Sequence, residues 1–166
     1  MHPRAQAFTE RAADAYDLDV TVREFPEGTK TAADAADAVG CEVGQIASSL
    51  VFSAANGDAE ETLVVAITSG ANRVDEAALA DELGVPADAV SMADPETIRE
   101  RIGWAIGGVP PFCHDSEVRT LLDPTLTEYE TVWAAAGTPS AVFSLTPESL
   151  REHAAATVAD VTADTT

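Results

Sequence analysis

Ile46-Ala47-Ser48-Ser49-Leu50-Val51-Phe52, followed after Asn56-Gly57 by Thr62-Leu63-Val64-Val65-Ala66-Ile67, is the stretch on which the fold turns. In an extended chain Ile46, Ser48, Leu50 and Phe52 share one face and Ala47, Ser49 and Val51 the other. Both segments are β-branched and apolar, and Asn-Gly suits the tight connection between them, so they predict a β-hairpin. Outward from it, Phe8, Ala12, Ala15 and Tyr16 fall on one helical face, and Val20, Val22 and Phe25 suggest a short strand. Thr31 is placed to cap a helix with the stripe Ala32, Ala35, Ala36 and Val39, which Gly40 ends. Asp75 caps a helix through Leu79 and Leu83 that stops at Gly84, and Asp94 with Pro95 opens another through Ile98 and Ile102. Strands are expected at Arg119 to Asp123, Tyr129 to Ala135 and Ala141 to Leu145, with a last helix from Thr146-Pro147-Glu148. Strands with short links and helices at irregular intervals fit a mixed α+β sheet better than a doubly wound parallel one. No glycine-rich phosphate loop follows any strand.

The 166 residues suffice for one domain with a proper core, and the tail 161–166 is expected to be loose. No run approaches the ~20 apolar residues of a membrane span, so a soluble, cytoplasmic protein is expected, with no membrane partner. The two cysteines, Cys41 and Cys113, are too few for a disulfide framework and lack metal-ligand spacing, so neither a metal nor another cofactor is expected. Twenty-nine acidic residues face nine basic ones, eight arginines and Lys30, for a net charge of −20. The acids are interleaved with alanine along the whole chain, which predicts a solvated surface suited to a salt-rich cytoplasm. Such a charge opposes binding to DNA, which rests on counterion release by basic side chains, and any RNA contact must be local or aided by salt.

Ile106-Gly107-Gly108-Val109-Pro110-Pro111-Phe112-Cys113-His114 is nearly uncharged in this acidic chain. Two glycines let a ligand approach bare peptide N–H groups, and the proline pair fixes the backbone around Val109. The loop is either a recognition wall or a tight crossover between core elements.

The order of Thr31-Ala32-Ala33-Asp34, Gln45-Ile46-Ala47-Ser48-Ser49-Leu50, Ser69-Gly70-Ala71-Asn72-Arg73-Val74-Asp75, the Gly107-Gly108-Val109-Pro110-Pro111 loop, Leu121-Leu122-Asp123, Ala136-Gly137 and Leu145-Thr146-Pro147 resembles the YbaK/ProX family of aminoacyl-tRNA deacylases. The resemblance runs over 20–150. It implies a compact α+β fold around a mixed, barrel-like sheet flanked by helices. It also implies hydrolysis, in trans, of the ester joining a wrong amino acid to its tRNA. The partners implied are the acceptor end of an aminoacyl-tRNA and an aminoacyl-tRNA synthetase. The family's double glycine matches Gly107 and Gly108, whose N–H groups would hold the substrate carbonyl or terminal ribose. Its lysine falls at Ser48, whose hydroxyl has neither the reach nor the charge of an ammonium group, and a carboxylate of some members falls at Val142. Activity is therefore expected to be weakened.

Further candidate substrate contacts are Val109, Pro110 and Gly137, with Lys30 as a cation near the pocket or a solvated surface charge, and Arg73 as a phosphate contact or a member of a structural ion pair. His114 is an acid or base near neutral pH or the cap of a loop. Asp123 is a pocket acceptor or a turn former. Cys113 would be a nucleophile only with a depressed pKa, and no base or helix terminus beside it is visible. Two other functions stay open: a non-catalytic module binding an aminoacyl group or tRNA end, and a small-metabolite binding protein.

Overall fold

The structure is a computed structural model that describes residues 3–25, 32–55, 62–105, 108–116, 118–138 and 140–162. The chain runs α1 (Pro3–Tyr16), β1 (Val22–Glu24), α2 (Ala32–Val39), β2 (Ile46–Ala54), β3 (Thr62–Ser69), α3 (Glu76–Leu83), β4 (Val90–Met92), α4 (Pro95–Arg101), β5 (Arg119–Leu122), β6 (Val132–Ala135), β7 (Ala141–Leu145), α5 (Pro147–Ala154) and β8 (Thr157–Val158). It is a mixed α+β fold around one eight-stranded sheet of order β1-β7-β6-β2-β3-β5-β8, with β4 also on β2.

The hairpin is the spine of this sheet. β2 and β3 pair antiparallel from Ala47↔Ser69 to Ala54↔Thr62, somewhat longer than the alternation alone predicts. Alternate residues serve two cores. Ala47, Val51, Val65 and Ile67 join Phe8, Trp104, Phe112 and Phe143 on one face. Phe52, Val64 and Ala66 pack on Leu79, Val90 and Leu121 on the other. Ile46, on that second face, closes a smaller cluster with Ala35 and Ala36 of α2. β3 and β5 then pair parallel, as do β5 and β8, while β1, β7 and β6 form an antiparallel set.

The predicted caps are present. Asp75 accepts from the Ala77 N–H, Asp94 from Glu96 and Thr146 from Ser149, and Gly84 closes α3 at φ 73°. Thr31 and Asn56-Gly57 lie outside the described residues.

Two expectations are corrected. The strand expected from Tyr129 begins at Val132, because Asp123 and Pro124 start a 3₁₀ segment, Pro124–Glu128, for which Tyr129 is the C-cap. The chain beyond Asp160 is not loose at its start: Val161 is buried, its carbonyl accepts from the Asp75 N–H at 2.8 Å, and Thr162 bridges Val74. Residues 163–166 lie outside the described set.

Candidate functional site

β2 has one complete edge and one divided edge. Along the first it pairs with β3 throughout. Along the second, Ile46 and Ala47 pair parallel with Trp133 and Ala134 of β6, and Phe52 to Ala54 pair antiparallel with β4. Ser48, Ser49 and Leu50 lie between these two short ladders and are the only half-exposed residues of an otherwise buried strand. Ser48, to which the resemblance assigns the family's lysine, is therefore at an opening in the sheet.

Strand geometry settles which groups face that opening. The Ile46 carbonyl accepts from Gly70 on the β3 side, and the Val51 carbonyl accepts from Ala93 on the β4 side. Backbone polar groups alternate between the two edges. The Ser49 N–H and C=O consequently point into the divided edge, where no register pair of β6 or β4 falls opposite Ser49. The Ser49 hydroxyl is buried and unpartnered among the described residues. Ser48 has the opposite phase: its backbone faces β3 opposite Thr68, and its side chain shares a face with Ile46 and Leu50.

The proline loop is a packed crossover. Gly103, at φ 91°, and Trp104 begin it, and the Trp104 indole donates to the Cys113 carbonyl at 2.9 Å. The Asp115 N–H donates to Ile102 at 2.9 Å, closing the loop's base. Val109, Pro110, Pro111 and Phe112 are buried, with Val109 and Phe112 in the aromatic core. The Gly108 N–H, expected to be offered to substrate, is engaged with the Ala105 carbonyl at 3.0 Å. What Gly108 supplies is closeness: a Cβ there would stand 2.6 Å from the Thr138 Cα. Gly137 is explained by packing in the same way, since at φ 95° a Cβ would lie 2.7 Å from the Arg4 carbonyl and from the Trp104 ring. The loop thus abuts the turn that follows β6, and β6 flanks the opening. Gly107 and Lys30 lie outside the described residues.

The remaining candidates divide by burial. Asp123 is buried and forms the turn, with both oxygens engaged by the protein itself. One oxygen accepts from the Thr125 N–H at 2.9 Å as a cap, and the other from the Ser69 N–H at 3.0 Å and the Asn72 amide at 2.9 Å. Ser69 also donates its hydroxyl to the Gly44 carbonyl, so this acid ties the end of β3 to its surroundings. Arg73 is exposed and makes no ion pair with a described residue. His114 places Nε2 2.7 Å from the Pro110 carbonyl, as a loop cap would. Burial lowers its pKa below the ordinary histidine value; the Pro110 bond pushes the other way, Arg11 lowers it further and Asp115 raises it. Burial pushes the Cys113 thiol up to about 11, with Arg11 a lesser opposing influence, which removes it as a nucleophile at neutral pH. Val142, at the carboxylate position, is buried in β7. No group of three metal-ligating side chains occurs among the described residues.

Sequence reasoning missed two contributors. Ser49 could not be told from Ser48 without knowing that β6 and β4 divide the edge. The role of α1 needed the tertiary contacts: Phe8 sits against Trp104, Phe112 and Phe143, Arg4 donates to the Gly103 carbonyl, and both Arg4 and Arg11 lie over the Trp104 ring.

Known proteins agree with this architecture. A family model for an aminoacyl-tRNA editing domain matches residues 26–153. The uncharacterized protein YwhH of Bacillus subtilis (strain 168) is 32% identical over 133 residues, covering 79% of each chain. A solved structure described as a putative trans-editing enzyme for prolyl tRNA synthetase is 40% identical, with 99% of each chain covered and a TM-score of 0.87. A scaffold protein from work on epitope backbone grafting is 35% identical, with 99% of each chain covered and a TM-score of 0.86. Matched over most of its length by sequence and by structure, the chain belongs to the aminoacyl-tRNA editing domain family, the YbaK-like group that its motif order resembles.

Proposed function

We propose that this protein is an aminoacyl-tRNA deacylase that acts in trans in the cytoplasm, hydrolysing the ester of small misacylated residues at the tRNA acceptor end. The observation that carries the reading is the opening in the β2 edge at Ser48–Leu50. It falls at the family's lysine position, in a chain like the putative trans-editing enzyme for prolyl tRNA synthetase. By that likeness an aminoacyl-tRNA synthetase is the partner that supplies the error.

The chemistry asks mainly for position. Water adds to the ester carbonyl, the carbon–oxygen bond to the ribose breaks, and the freed ribose oxygen takes up a proton. An activated ester beside a ribose hydroxyl needs alignment and charge stabilisation more than a strong nucleophile. Arg73, exposed beside the Ser69–Asn72 turn, supplies a cation for phosphate, with Lys30 assigned the same role, and the family resemblance assigns Gly107 to the substrate carbonyl. Val109, Pro110, Gly137 and Asp123 act by holding the walls, and His114 by fixing the loop. Ser48 replaces an ammonium group with a hydroxyl, which makes the enzyme weak.

The test is deacylation of a panel of mischarged tRNAs in molar potassium chloride, comparing the native protein with Ser48→Lys. Native turnover with a gain of about tenfold or more on restoring the charge, the worth of ~1.4 kcal/mol, is the expected outcome. Activity in the variant alone would make the native chain a binding module, and silence from both would point to a different ligand.

A further inference from the structure

Four neighbouring strands carry a strip that is unlike the rest of so acidic a chain. β2, β6 and β7 hold no charged residue, and β1 holds two, Arg23 and Glu24. Register decides where those two go. Val22 pairs with Phe143 of the aromatic core, so alternation puts Glu24 on the side of that core and Arg23 on the other. Arg23 pairs with Val142 and Val142 with Ala135, and Ser48 follows the Ala47↔Ala134 pair, so Arg23 shares a row with the residue at the opening. The next row is Ser144, Trp133 and Ile46. On this face of the four strands the one charge is positive, in a chain of net charge −20. The acids of α2, Asp34 and Asp37, are exposed, whereas Ala35 and Ala36 are buried against Ile46.

The Arg23 guanidinium lies 5.8 Å from the centroid of the Trp133 ring, so the side chain reaches from β1 across β7 to β6, the strand that flanks the opening. That separation is the outer limit of a cation–π contact. The guanidinium's hydrogen bond is a long one, 3.4 Å to the Val39 carbonyl at the end of α2, and it forms no ion pair with a described residue. Arg23 is exposed and Trp133 half-buried. Such a pair offers what single-stranded nucleic acid requires, a charge for a phosphate and planar groups for a base. Salt makes the contact compatible with the chain's acidity. At molar ionic strength the screening length is about 3 Å, so distant carboxylates no longer repel a phosphate while groups in contact still act on it.

We propose that Arg23 and Trp133 receive the unpaired 3′ end of the tRNA acceptor stem, with the guanidinium on a phosphate and a base stacked on the pair. This rests on the deacylase reading and deepens it, by giving the nucleic acid a contact of its own beside the opening.

The probe is a hairpin RNA ending in the unpaired 3′ nucleotides of an acceptor stem, set against the same hairpin cut blunt. Binding is followed by fluorescence anisotropy over a series of potassium chloride concentrations up to molar. The native protein should prefer the overhang. Arg23→Gln should weaken overhang binding roughly tenfold, leave the blunt hairpin unaffected, and flatten the slope of log affinity against log salt by about 0.7, the share of one phosphate on a single strand. Arg23→Lys should keep the slope with its charge but lose part of the affinity, since an ammonium does not stack. The melting temperature of Arg23→Gln should stay within about 2 °C of native, so a structural role does not account for the loss. Arg119→Gln, which removes an exposed arginine paired with Glu82 on the far side of β3, should change neither affinity nor slope.

Equal native affinity for the two hairpins, native-like overhang binding by Arg23→Gln, or an equal loss for both hairpins overturns the proposal. The deacylase reading then stands if mischarged tRNA is still hydrolysed. The expected pattern in a protein without turnover keeps the RNA contact and removes the enzyme.

Discussion

The β2–β3 ladder and the 103–115 loop bury residues in the same aromatic core, yet they are held in place by different means. The ladder is fixed by register: eight consecutive Cα pairs, each residue committed to a face by its parity. The loop has no ladder. Its place depends on a tryptophan that donates to Cys113, on a histidine against Pro110, on α1 lying across Trp104 and on the absence of a Cβ at Gly108. A local pattern is enough for the first region, whereas the second exists only when residues about a hundred positions apart meet, as Arg11 and Asp115 do at 2.9 Å. The opening in β2 is framed by the short ladders to β6 and β4, and the loop bears on it through the turn after β6 against which Gly108 packs.

The sharpest way to break this comparison is to remove α1's anchor. Phe8 is fully buried among Trp104, Phe112 and Phe143. Phe8→Ala should cost about 3–5 kcal/mol in urea unfolding, as large-to-small aromatic core changes do. More tellingly, amide exchange at 108–115 should accelerate, while Val65→Ala, in the same core but on the ladder, should lower stability without freeing those amides. Unchanged exchange in the Phe8 variant would mean that the loop holds itself.

A second test addresses the loop's inner face. The nearest atoms to a Cβ at Gly108 are backbone atoms of Thr138 at 2.6–2.9 Å, and backbone cannot rotate away as a side-chain tip can. Gly108→Ala should therefore destabilise by roughly 1–3 kcal/mol, an overpacking cost. It should also depress deacylation, because the turn after β6 would be pushed towards the opening. A variant as stable as the native protein would show that the two loops are not in contact, and with them the crossover reading of this segment would fall.

What was legible in the sequence follows the same division. Alternation over Ile46 to Phe52, the caps Asp75, Asp94 and Thr146, and the stops at Gly40 and Gly84 are local signals, and each appears where expected. β4 and β8, three and two residues long, present no alternation of apolar and polar residues from which a strand can be expected. Tyr129 fits a strand pattern by residue type, but the Asp123-Pro124 start of a 3₁₀ segment makes it that segment's C-cap. At the site, the motif order located the strand and the loop but misread what they offer. Gly108 looked like a free donor because a carbonyl partner at Ala105 leaves no mark on composition. Nothing in the sequence separates Ser49 from Ser48, because a divided edge is a property of the sheet, not of the strand.

The smallest effect concerns His114, and its sign discriminates between two pictures of the loop. An unfolded chain titrates its histidines near pH 6.5. Burial lowers the folded His114 pKa below that, so above about pH 6.5 the ring is neutral in both states and its contribution to stability is fully present. As pH falls the unfolded chain takes up the proton first, and stability declines until the folded pKa has also been passed. The background works in the opposite direction, since protonating carboxylates relieves the repulsion of a −20 chain, so the quantity to follow is the difference between proteins. A glutamine side chain keeps an amide able to donate to the Pro110 carbonyl but does not titrate, so His114→Gln against native, unfolded in urea at fixed molar salt between about pH 8 and about pH 5, isolates the ring. The native protein should lose stability relative to the variant as pH falls. A relative gain would mean that Asp115 and the Pro110 carbonyl win over burial, that the ring is charged in the folded loop, and that the segment is wetter than its buried prolines imply.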